Sequence, residues 1–172
     1  MALALVASST LVYEILLTRI AALRLAFHFS FLVVSTALFA VGLAGAVLTL
    51  ARGRTAGDER RWAARAAGSA AALLPLTYAF LLAWPVSAQF RLADVGATLQ
   101  LAAFNLVAAV PFALAGAASG LILQARAADV HRVYAADLAG AALGCVATPF
   151  VLWSFGAGGA IAAATALALA GA

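Results

Sequence analysis

Long apolar blocks alternate with short polar breaks along the whole chain. A helix crossing a bilayer core of about 30 Å needs about 20 mostly apolar residues. The blocks therefore predict membrane helices over residues 2–22, 27–50, 66–86, 97–123 and 133–153, with a sixth beginning at 160–172. Arg24 and His28 mark the first break, and a polar loop at 51–65 the second. Gln89, Arg91 and Asp94 mark the third, and Arg126, Asp129, His131 and Arg132 the fourth. Gly156, Gly158 and Gly159 make a turn before the last block. That block holds about 13 residues, or about 20 Å of helix, and reads as a helix cut off before it spans. The predicted fold class is an all-α, polytopic membrane helix bundle of about six helices, a single integral membrane domain over 1–172.

Composition strengthens this reading. Hydrophobic residues make up 67% of the chain and charged residues 9%, against about 45–50% and 25% in soluble domains. A soluble fold of this size could not bury so much apolar surface. The ten basic residues are all arginine and fall in clusters, unlike the continuous basic stripe of a nucleic-acid surface, so no nucleic-acid partner is expected. Five arginines lie in the 51–65 loop and two in the 126–132 loop, against Arg19, Arg24 and Arg91 in the alternate connections. The positive-inside bias then predicts a cytoplasmic N-terminus with both arginine-rich loops on that side. The N-terminal stretch lacks the basic start of a signal peptide. Cys145 is alone, which excludes a disulfide framework, and its apolar surroundings predict a small buried residue.

Membrane helices associate through small residues that allow close backbone approach. Gly116 with Gly120, and Gly140 with Gly144, have that spacing, and Gly42 joins them as an expected packing position. Tyr134, Asp137, Ala141, Gly144 and Thr148 share one helical face. His28, Ser35, Gly42 and Thr49 recur every seventh residue. Both stripes are expected to face the bundle interior.

Glu14, His28 and Asp137 carry the candidate chemistry, with Tyr13, Tyr134 and Arg19 beside them. A charge at the bilayer centre costs about 2.5–3.5 kcal/mol on insertion scales, so such groups face the interior and find partners. Together they read as a cation or proton pathway, or as an amine site. The structural alternative gives Asp137 an interfacial hydrogen bond, Glu14 an arginine from another helix, and His28 a place at the membrane surface. Arg19 lies about 140° round the helix from Glu14, a poor geometry for pairing. Tyr13, Trp84 and Trp153 read as aromatic-belt residues near helix ends, and Pro75 and Pro111 as ordinary kinks.

Nucleotide-phosphate loops, GxSxG elbows and HExxH motifs are all missing, and His28 and His131 are over a hundred residues apart. No catalytic, cofactor-binding or metal-ligating residues are expected within this chain, and no cofactor.

Several segments, in order, resemble the membrane domain of bacterial spermidine-synthase-like proteins, in which transporter-like helices are fused to an aminopropyltransferase domain. They are Val12-Tyr-Glu-Ile-Leu-Leu-Thr-Arg19, Phe27-His-Phe-Ser-Phe31 with Ser35-Thr-Ala-Leu38 and Gly42/Gly45, Pro111-Phe-Ala-Leu-Ala-Gly116, and Val133-Tyr-Ala-Ala-Asp-Leu-Ala-Gly-Ala-Ala-Leu-Gly144. The resemblance implies a bacterial cytoplasmic-membrane module that anchors a cytoplasmic aminopropyltransferase-like domain and passes it polyamine-type substrate or product. That soluble domain has no counterpart in these residues, so its activity is implied only outside them. The expected partners are the lipid bilayer, a polyamine or other cationic small molecule, and that synthase domain. Two alternatives stand beside this: half of a secondary transporter of unknown substrate, and a scaffold that transports nothing. Residues 1–86 and 97–172 show no convincing internal repeat, which counts against the transporter half.

Overall fold

A computed structural model describes residues 1–24, 30–84 and 95–172. All regular structure among them is helical: α1 (Ala2–Arg24), α2 (Ser30–Leu50), the single turn α3 (Arg52–Thr55), α4 (Glu59–Ala83), α5 (Val95–Ala125) and α6 (Val130–Gly171). A 3-10 turn at Ala127–Asp129 joins the last two. Among the described residues, five helices are long and apolar enough to cross a membrane.

The sixth predicted helix is the second arm of α6. Gly156 breaks the helical backbone with φ 65° and ψ −167°, a combination essentially restricted to glycine. Contacts with α1 show that the chain reverses there. A Cβ on Gly140 would meet Ala4 and one on Gly144 would meet Ser8, so this arm runs parallel to α1. Ser9 reaches Ala164, whereas Gly171 meets Ala2, so the second arm runs antiparallel. An unbroken helix would put Gly140 and Gly171 about 47 Å apart, yet both pack against the start of α1. The two arms clasp α1 between them.

Adjacent serines tie the clasp. Ser8 Oγ donates to the Gly140 carbonyl and Ser9 Oγ to the Ala164 carbonyl, each at 2.6 Å. One helix surface thus bonds both arms through neighbouring residues. The main core gathers Val12, Leu16, Leu17 and Ile20 of α1 with Leu74 and Leu81 of α4, Phe104 and Phe112 of α5, and Ile161 of α6. On the other side, Gly116 and Gly120 of α5 receive Val41 and Leu48 of α2.

Four expectations are corrected. Helix α4 starts at Glu59, seven residues before the predicted 66, so Arg60, Arg61 and Arg65 are helical. Arginine and alanine are good helix formers; polarity marks where the apolar block ends, and the helix continues beyond it. Gly42 does not pack: it is exposed, with nothing within 4 Å of where its Cβ would stand, and Ser35 and Thr49 are exposed too. Helix α2 instead buries Val33, Ala37, Ala40, Ala44 and Leu48, since alanines are also small enough for close helix approach and the larger residues fill the core. Cys145 is exposed on the outer side of α6. Tyr13 lies in the middle of α1 and is buried rather than placed at an aromatic belt.

Candidate functional site

Helix α1 carries the central polar group. The Tyr13 ring packs against Phe112, with centroids 5.1 Å apart and planes at 48°. Its hydroxyl stands beside Thr77 of α4 without reaching hydrogen-bond geometry, and is a buried polar atom left unpaired. A small cavity beside the ring, of about 10 Å³, is lined by Ser9, Thr10 and Tyr13 among apolar side chains of α4, α5 and α6. That is about the space one water needs. Pro111, which removes a backbone donor from α5, lines it as well.

Glu14 sits on the less covered side of α1 with Leu11, Ile15 and Thr18, all of them half-buried. Thr18 Oγ1 donates to the Ile15 carbonyl, and Ser30 of α2 donates to the Thr18 carbonyl at 3.4 Å. The Glu14 carboxylate has no ion pair among the described residues, and Arg19 is exposed. Asp137 is half-buried and Tyr134 exposed on α6. The reason is register: with Gly140 over Ala4, α1 begins at the level of Leu138. The outer part of the predicted α6 stripe lies beyond the helix that covers Gly140, Gly144 and Thr148. The same register puts Glu14 level with Phe150, thirteen residues beyond Asp137, or about 20 Å along the axis. Glu14 and Asp137 do not converge. His28 lies outside the described residues.

Arg24 has a role that its spacing did not announce. Its guanidinium donates to the carbonyls of Leu81 at 2.6 Å, Leu82 at 2.7 Å and Trp84 at 3.0 Å. These are the free carbonyls of the α4 C-terminus, where a cation is also favoured by the helix dipole. A second, half-buried polar link joins α2 to α5: Thr36 Oγ1 donates to Asn105 Oδ1 at 3.1 Å, and Asn105 Nδ2 donates to the Leu101 carbonyl at 2.8 Å.

At the opposite end, the start of α1, the end of α6 and the α5–α6 turn meet around arginines. One hollow of about 290 Å³ is lined by Leu3, Ile122, Arg126, Asp129, Arg132 and Val133. A second, of about 170 Å³, is lined by Arg60, Arg126 and Gly171 among others. Both include Ala2, Ile122 and Arg126, so the two hollows adjoin around these residues as a two-part trough. The bracketing of the turn by Arg126 and Arg132 was the available signal in the sequence, and it pointed to topology rather than to a site.

No protein-family model, curated protein or solved structure shows a significant match to the chain.

Proposed function

We propose that this chain is a membrane-anchoring module that holds a soluble domain against the cytoplasmic face of the membrane. The observation that carries this reading is the gathering of chain segments at one end. Ala2, Arg60, Arg126 and Gly171 border the same trough, so the start of α1, the head of α4, the α5–α6 turn and the end of α6 share one end of the bundle. The arginine bias assigns that end to the cytoplasm. The resemblance to spermidine-synthase-like membrane domains supplies the kind of cargo, an aminopropyltransferase-like domain.

Anchoring is favoured over passage of a polyamine for two reasons. The cavity at the centre of the bundle has room for about one water. The two intramembrane carboxylates stand about 20 Å apart along the axis, which leaves no paired acidic site for a small cation. A fluorescent reporter fused after residue 172 tests the proposal. It is expected to fractionate with membranes and to be shielded from protease outside intact cells. A reporter found outside the cytoplasm would sink the anchoring reading. Uptake of labelled spermidine by proteoliposomes above protein-free controls would replace anchoring with transport.

A further inference from the structure

Three of the described arginines are already engaged. Arg24 caps α4, Arg61 lies 3.6 Å from Asp58, and Arg65 stacks over the Trp62 ring at 5.2 Å. Arg60, Arg126 and Arg132 line the trough, are exposed, and have no ion pair or hydrogen bond from their guanidinium groups among the described residues. Each guanidinium offers five donors in a planar fork suited to phosphate oxygens. Asp129 is the one acidic side chain lining the trough, against the three guanidinium groups there.

The walls decide what kind of phosphate fits. Ile122, Val133 and Ala136 line the same hollow as Arg126 and Arg132. The hollow thus joins a basic mouth to a half-buried apolar wall, near where the apolar part of α6 begins. Free phosphate would use only the mouth; a phospholipid uses both, with its phosphate between the arginines and the start of its acyl chains against Ile122, Val133 and Ala136. The geometry points to a binding site for the phosphate headgroup of an anionic membrane lipid, formed by Arg60, Arg126 and Arg132. Occupancy ties α1, α4, α5 and α6 together at that end, so the lipid acts as a clasp opposite the Gly156 turn.

Thermal unfolding of the full chain in an uncharged detergent tests this, with dioctanoyl phosphatidylglycerol, dioctanoyl phosphatidylcholine and inorganic phosphate added separately. The anionic lipid is expected to raise the midpoint, half-saturating at a concentration at least about tenfold below that of phosphatidylcholine, from about 1 kcal/mol per surface arginine. The double variant R126Q/R132Q is expected to lose that preference, while R19Q, at the other end, keeps it. Helical content measured by circular dichroism checks that each variant is folded. Should the double variant unfold, R60Q and native mass spectrometry of the unaltered protein decide. Selective retention of anionic lipid, weakened in R60Q, supports the site. Equal half-saturation by the two lipids, equal stabilisation by inorganic phosphate, or a preference that survives in the folded double variant would each overturn it.

Discussion

Glycines that look alike in the sequence do opposite things in this bundle. A methyl on Gly140 would land on the backbone of Ala4, which cannot move aside, and one on Gly144 would press on Ser8. Gly42 has open space around it. Gly140→Ala is therefore expected to lower stability by about 1–3 kcal/mol through overpacking. Gly42→Ala is expected to be neutral or to stabilise by up to about 1 kcal/mol, because alanine is the better helix former. Thermal unfolding of the two variants in the same detergent checks the contrast, and a Gly42→Ala as damaging as Gly140→Ala would refute the assignment of faces. The spacing of Gly140 and Gly144 was readable as a packing motif. The idleness of Gly42 was not, because α2 has small residues on more than one side and only its neighbours select Ala37, Ala40 and Ala44. Arg24 shows the same limit: its carbonyl partners are 57 to 60 residues away, and no local pattern encodes them.

Among the elements, α6 depends on one residue for its shape. Gly156 holds a backbone conformation that a side chain strains by about 1–3 kcal/mol, and that strain falls on the reversal that brings the second arm back to α1. Gly156→Ala is expected to loosen this arm selectively. Hydrogen exchange should speed up over 157–171 while the Phe104–Phe112 stretch of α5 stays protected; uniform change across the chain would contradict it. Ser8 and Ser9 separate the two arms energetically. Ser8→Ala removes a bond to the first arm and Ser9→Ala one to the second, each worth about 0.6 kcal/mol and at most about 1.7 in membrane helices. Of the two, only Ser9→Ala should raise exchange in the second arm. The apolar block lengths and the Gly156-Ala-Gly-Gly159 turn made the helices legible beforehand, because bilayer thickness leaves few other ways to arrange such blocks. The early start of α4 was hidden because arginines end an apolar run without ending a helix.

For the molecule as a whole, the decisive quantity is the distance between its two intramembrane carboxylates. Glu14 and Asp137 lie in helices that pack together, and the axial register between those helices depends on which small residues interlock. Gly140 over Ala4 sets it and carries Asp137 away from Glu14. Side chains about 20 Å apart along the axis cannot hold one small cation between them. Sites more than about 7–10 Å apart with no shared partner are energetically additive within about 0.5 kcal/mol. Glu14→Gln and Asp137→Asn each make a half-buried group uncharged, and each is expected to change stability on its own terms. The double variant should equal the sum of the singles in a double-mutant cycle followed by thermal unfolding. A coupling energy above about 1 kcal/mol would mean that the carboxylates share a partner or a bound cation. Such a result would return a polyamine pathway to first place; additivity leaves two separate polar positions in a bundle whose tightest contacts are between small residues.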